Sequence, residues 1–219
     1  DILFVGTVGE EGAGDLRGVR HFFNEGKYKD RTKAFFSVDG IDPSQITHIG
    51  VGSKRYRATF KGPGGHSYGA FGIVNPMAAM GKAVADFYTI EAPTNPKVTY
   101  SASVTGGGTS VNAIPDKVFT DFDMRSADAG ELAKLETRFK AIMDEAVVHE
   151  NKARSTRFGA VSVELTSIGD RPAGQTPATA PLVANTAAAV TALGFTPSFN
   201  ASSTDANAPM SKGIPAITI

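Results

Sequence analysis

Two adjacent glutamates stand between glycines in Gly9-Glu10-Glu11-Gly12, directly after the apolar run Ile2–Val8. A further acid, Asp39, closes a second apolar run, Ala34-Phe35-Phe36-Ser37-Val38. In open α/β sheets ligands bind beyond the carboxyl ends of the strands, so acids at two strand ends converge on one rim if those strands are near neighbours. Neighbouring glutamates in a tight turn point in different directions. One can ligate a metal while the other faces a substrate as a general base. The plain alternative is a solvated acidic loop, and glycine on both sides with a second acid at the next strand end weighs against it. His66 lies in Gly62-Pro63-Gly64-Gly65-His66-Ser67, a loop too rich in glycine to be core, where an imidazole can donate to a developing oxyanion. Asn112 and Arg125 flank a strand region, and an arginine with an added amide donor can grip a carboxylate. Ser203-Thr204-Asp205 precedes an apolar stretch, as either a helix cap or a cleft wall. His21, His48 and His149 read as surface or packing residues.

The elements that must position these groups follow from periodicity. Residues 2–8 are expected to form a parallel strand buried on both faces. Residues 15–25 carry Leu16, Val19, Phe22 and Phe23 at helical spacing, with Gly26 as a stop signal. Residues 34–38 form the next strand, completing a βαβ unit. From residue 51 the pattern changes to alternating strands at 51–61, 97–105, 116–125 and 160–168. Between them lie helices at 74–88 (Met77, Met80, Val84, Phe87) and 129–152 (Leu132, Leu135, Phe139, Ile142, Met143, Ala146). That β-α-β-β-α-β order is the split βαβ, ferredoxin-like arrangement. An α/β pattern resumes with helix 181–193, strand 196–200, a short helix at 203–211 and strand 214–219. The expected architecture is an incomplete α/β catalytic domain, residues 1–50 and 169–219, interrupted by an inserted α+β ferredoxin-like domain, residues 51–168. The abrupt strand-like openings at both termini suggest a fragment of a longer polypeptide.

The 219 residues are 41% hydrophobic and 20% charged, with zero formal net charge and no cysteine. Thiolate metal sites and disulfides are excluded, so any metal would rest on carboxylates and imidazoles. The charge balance gives no footprint for nucleic acid or an anionic membrane. No apolar run approaches the ~18 residues of a spanning helix. Gly106-Gly107-Gly108 lacks the Lys-Ser/Thr that a phosphate cradle would need. The compartment stays undecided.

In order and spacing, several segments together resemble the di-zinc metallopeptidase family of peptidase T, glutamate carboxypeptidase, aminoacylase and acetylornithine deacetylase. They are Gly9–Gly14, Val38-Asp39-Gly40, Gly62–Ser67, Ser110-Val111-Asn112-Ala113-Ile114-Pro115, Asp123-Met124-Arg125 and Ser203–Asn207. The loop Gly-Pro-Gly-Gly-His-Ser looks most like the peptidase T branch. The resemblance implies hydrolysis of an amide bond in small peptides or N-acyl amino acids by water activated on two Zn2+ or similar ions. It implies Glu10 as general base, Glu11 and Asp39 as metal ligands, and His66 as an oxyanion donor across a homodimer. Asn112, Arg125, Thr204 and Asp205 would bind substrate, and the inserted domain would be the dimerisation, or lid, domain. The family's His-x-Asp motif, bridging aspartate and further histidine have no counterpart in this sequence. The expectation is therefore that the chain alone is inactive and binds zinc weakly or not at all. The alternative reading is an inactive fragment serving only as a homodimerisation or ligand-binding module.

Overall fold

The computed structural model describes residues 1–219. After an irregular segment and a 3-10 turn at Gly12–Gly14 come α1 (Arg17–Asn24), β1 (Phe35–Ser37), β2 (Gln45–Gly50), β3 (Gly52–Lys61) and β4 (Gly65–His66). Next are α2 (Pro76–Phe87), β5 (Val98–Gly107), β6 (Ala113–Ile114), β7 (Lys117–Ser126) and α3 (Ala129–Ala153). The chain ends with β8 (Ser162–Arg171), β9 (Gly174–Gln175), α4 (Pro181–Ala192), β10 (Ser198–Ser202), α5 (Asn207–Met210) and β11 (Ala216–Thr218). No helix is long and apolar enough to cross a membrane. The chain divides into two compact units, one of residues 1–53, 125–132 and 169–219, the other of residues 54–124 and 133–168.

In the first unit the strands run in the order β1-β11-β2-β10, with β9 added on β2. β1 is parallel to β11 and β10 is parallel to β2, whereas β11 meets β2 antiparallel. Helix α4 starts with Pro181, whose fixed φ suits the first helical turn, and buries Val183 and Val190 against Ile46 and Ile217. Helix α1 sets Val19 and Phe23 with Leu16 and Ala208 in a second cluster. Its end is closed by the Gly26 amide, which donates to the carbonyls of His21 and Phe22 at 3.0 and 3.2 Å. Asn207 is fully buried. Its Oδ1 accepts from the Thr204 amide at 3.0 Å, and its Nδ2 donates to the carbonyls of Val51 and Pro172, both at 2.9 Å. Gly50 leaves room for it, because a Cβ there would sit 2.9 Å from Asn207 Cγ. Asn207→Ala would strand one buried and two partly buried backbone groups, at about 1–3 kcal/mol for each group that water cannot reach. We expect a loss of about 3 kcal/mol in urea unfolding, and a loss below about 1 kcal/mol would contradict it.

In the second unit the sheet order is β5-β7-β3-β8. The first strand of the unit thus lies between the third and the fourth, the ferredoxin-like order expected from the sequence. Asn75 caps α2 by accepting from the Met77 amide at 2.9 Å, ahead of Pro76 in the first turn. The buried face of α2 is Ala79, Met80, Ala83 and Phe87, while Met77 is exposed. Helix α3 carries the expected stripe from Leu132 to Ala146, all buried, and its first turn is held by Asp128 Oδ1 accepting from the Glu131 amide at 2.8 Å. Cross-strand pairs of opposite charge join β3 to β7. Arg57 grips Asp121 through two bonds of 2.7 and 2.8 Å, and Arg55 bonds Asp123 at 2.8 Å.

Two expectations need correction. Residues 2–8 form no strand, and Ile2, Phe4 and Val8 are exposed. An apolar run becomes a strand only where a neighbour takes up its backbone N–H and C=O groups. β1 is the end strand of its sheet, paired with β11 on one side only. Conversely β2, absent from the sequence reading, lies at the centre of the sheet, bonded to β10, β11 and β9.

Candidate active site

The Glu10-Glu11 turn is shaped by glycine. Gly9 has φ +69 and Gly12 φ +52, the left-handed region that glycine enters at little cost. Gly14 lets the turn close on itself, since a Cβ there would lie 2.5–2.7 Å from the backbone of Gly9. The Gly14 amide donates to the Glu11 carbonyl at 2.9 Å, and Gly18 donates to Val8 at 3.0 Å. Two non-glycine residues then follow in the left-handed region, Asp15 at φ 50 and Leu16 at φ 60. Such backbone costs of order 1–2 kcal/mol per residue. Leu16 offsets it by complete burial in the α1 cluster. Asp15 offsets it through Oδ2, which accepts from Arg20 Nη1 and from the Asp170 amide, both at 3.0 Å.

Within the first unit Glu10 lies in electrostatic reach of Glu11 and Asp39, and Asp39 in reach of Asp205. Asp39 follows β1, where its amide donates to the Ile219 carbonyl at 2.9 Å. Asp205 is buried; its Oδ2 accepts from the Thr7 hydroxyl at 2.6 Å, and its Oδ1 has no partner. Thr204 is buried beside it, its hydroxyl 2.6 Å from that of Thr218. Burial raises the pKa of Glu10 above the usual carboxylate range; Arg171 opposes the rise, and the charges of Glu11 and Asp39 add to it. Burial likewise raises Asp205, with the Thr7 hydrogen bond opposing and the charge of Asp39 adding. A carboxyl whose folded pKa lies above its unfolded value of 3.8 contributes most stability below that value, and the contribution is lost as pH rises through the folded pKa. Asp205→Asn is therefore expected to raise Tm by a few degrees at pH 7–8 in metal-free buffer, with the gain vanishing in acid. Thermal melts across pH check this, and an equal gain at every pH would contradict it.

Arg171, Asp15 and Thr7 join this cluster although their sequence setting did not single them out, and Ser203 of the Ser203-Thr204-Asp205 segment joins it too. Arg171 is almost wholly buried at the end of β8. It donates from Nη1 to Glu10 Oε1 at 2.9 Å, from Nη2 to the Glu10 carbonyl, and from Nη1 to the Ser203 hydroxyl at 3.3 Å. The signal that points to it is the cationic Arg171-Pro172 step, which ends a strand that runs past the expected stop at residue 168.

His66 and Asn112 lie in the second unit, where β4 pairs with β6. The Ser67 amide donates to the Asn112 carbonyl at 2.9 Å, so the two loops are tied together with both residues exposed. His66 Nδ1 accepts from the amides of Tyr68 and Gly69 at 3.3 and 3.4 Å. An Nδ1 that accepts leaves the proton of a neutral ring on Nε2, as an outward donor. Arg125 lies near the end of β7, counted with the first unit. His48 packs, as expected, with Nδ1 2.9 Å from the Thr176 carbonyl and its ring edge-on to Phe199.

Residues 51–151 match the family model described as a peptidase dimerisation domain. Among solved structures, the chain resembles aminopeptidase PepT from Bacillus cereus at TM-score 0.75 and 21% identity, over 97% of this chain and 54% of that one. It also resembles a tripeptidase from Staphylococcus aureus at TM-score 0.71 and 16% identity, over 97% and 54%. An aminobenzoyl-glutamate utilization protein from Klebsiella pneumoniae follows at TM-score 0.66 and 14% identity, over 86% and 50%. The chain thus spans about half the length of the structures it matches. The segment 51–151 resembles a peptidase dimerisation domain, inserted in an α/β fold shared with these proteins. Beyond the matched segment, the chain is similar in fold to these peptidases.

The resemblance to peptidase T and its relatives implies divalent metal ions. The acids of the cluster offer oxygen donors, but no group of three or more His, Cys, Asp or Glu is arranged to hold a metal ion. The residues of this chain do not by themselves fit a metal centre of the implied kind.

Proposed function

We propose that the parent protein hydrolyses an amide bond in small peptides or N-acyl amino acids, and that this chain supplies its general base, part of its substrate cleft and its dimer contacts. The observation that carries the reading is the convergence of Glu10, Asp39 and the buried Asp205 in the first unit of a peptidase-family fold. Glu10, with Arg171 on one carboxylate oxygen, keeps Oε2 free of protein partners. From there it takes a proton from the attacking water and returns it to the leaving amine. Burial, which holds the Glu10 pKa above its ordinary value, favours the uptake of that proton. Asp205 and Thr204 line the cleft. Asn112 and Arg125 receive the substrate carboxylate. His66 offers its outward Nε2–H to the oxyanion across a homodimer formed through the inserted domain. Glu11 and Asp39 would each offer a carboxylate to a divalent metal, but they do not make a metal centre by themselves.

A second reading follows from the lack of a grouped donor set. The 219-residue chain alone is a homodimerising module without turnover. One experiment separates the two: metal content, sedimentation and hydrolysis of di- and tripeptides and N-acyl amino acids, measured on this chain beside a polypeptide extended at both ends. The first reading expects about two ions per subunit and turnover only in the extended protein. Turnover and stoichiometric metal in the short chain would refute the second. Inactivity of both would refute the first.

A further inference from the structure

We propose that Arg171 is a positioning residue that fixes the Glu10-Glu11 turn and aims the Glu10 carboxylate, an inference resting on the reading of Glu10 as the base. Arg171 grips Glu10 twice, at its side-chain Oε1 and at its backbone carbonyl. A guanidinium that bonds the side chain and main chain of one residue sets both the path of the turn and the rotamer it presents. Only Oε2 is then left to face a reacting water. The guanidinium is itself held from behind. Its Nη1 reaches the Ser203 hydroxyl at 3.3 Å, and its Nε lies 3.7 Å from Asp15 Oδ1. Both of those last atoms are buried and lack a hydrogen bond, so a small approach would satisfy the pair. Asp15 is in turn bound by Arg20 and by the amide of Asp170, the residue before Arg171, and Arg20 also donates to the Asp170 carbonyl at 2.8 Å. The alternating chain Arg20, Asp15, Arg171, Glu10 thus couples the end of β8 to the turn. It also accounts for the left-handed backbone at Asp15, which sets that carboxylate beneath Arg171 and Arg20.

The test compares wild type, Arg171→Lys and Arg171→Met. Amide hydrogen exchange in the 219-residue chain reads the turn at Gly14 and Gly18, whose amides donate within it, against controls at Thr176 and Ile219. Arg171→Met is expected to speed exchange at Gly14 and Gly18 about tenfold or more while the controls hold. Lysine, able to keep one charged bond but not both, should fall between. In the extended polypeptide, Arg171→Met is expected to lower kcat about 100-fold with KM nearly unchanged, the cost of a misplaced reacting group, and Arg171→Lys to recover part of it. Unchanged exchange at Gly14 and Gly18 would overturn the proposal, as would equal acceleration at the control amides, which marks a merely structural role. A rise in KM at constant kcat would overturn it too. If the extended wild-type protein hydrolyses no amide, the reading of Glu10 as base fails by itself, and the exchange data still decide whether Arg171 holds the turn.

Discussion

Glu10→Gln in the extended polypeptide is expected to lower kcat by about 10²–10⁴-fold with little change in KM. The substitution keeps the shape of the side chain and the oxygen that accepts from Arg171 Nη1, while the bond from Nη2 goes to the main chain and is untouched. The turn therefore stays in place, and what disappears is the ability to take up a proton. Burial already disfavours the charged form of Glu10, with Glu11 and Asp39 adding to that effect, so its loss should not lower Tm at neutral pH. Steady-state kinetics with a melt of the same preparation decide the matter. A fall in kcat accompanied by an intact melt assigns the proton transfer to Glu10. A change below about tenfold removes that role, because a positioned general base contributes at least about 10²-fold.

The contrast between Glu10 and Arg171 shows which parts of the site a sequence exposes. Glu10 and Glu11 announce themselves because two acids between glycines have no use in a core. Asp39 does so because it interrupts an apolar run. Arg171 is buried at the end of a strand, and only the proline that follows it marks it off locally from a surface arginine. Its partners Asp15 and Glu10 come from far away along the chain, and only the fold brings them together. The same division runs through the architecture. The ferredoxin-like unit was legible because its strands alternate and its helices carry stripes, both local signals. Residues 2–8 have the composition of a buried strand, yet strand formation depends on an edge to pair with, which composition does not encode. β2 was missed for the converse reason: Gln45-Ile46-Thr47-His48-Ile49-Gly50 is short and mixed, and only its three partner strands make it central.

Phe87→Ala is expected to cost the inserted domain about 3–5 kcal/mol, the range for removing a buried aromatic side chain. Phe87 is the final residue of α2 and fully buried. Its ring meets those of Tyr100, Phe122 and Phe139 at centroid distances of 4.9, 5.0 and 5.7 Å, all close to edge-on. Such contacts contribute about 0.5–1.5 kcal/mol each beyond the area they bury. Phe122 and Phe139 also touch one another at 5.0 Å. Removing the central ring therefore leaves a cavity that its neighbours close only by giving up their own packing. These rings come from α2, β5, β7 and α3, so the cavity loosens one helix against two strands and the other helix at once. Phe158→Ala, at an exposed aromatic, is the matched control and should change stability by less than about 0.5 kcal/mol. Urea titrations of both variants, with sedimentation, connect the core to assembly. If the domain forms the dimer, Phe87→Ala should lower its unfolding midpoint and make dimerisation more concentration-dependent. A loss below about 1.5 kcal/mol would mean that the aromatic cluster repacks around the gap.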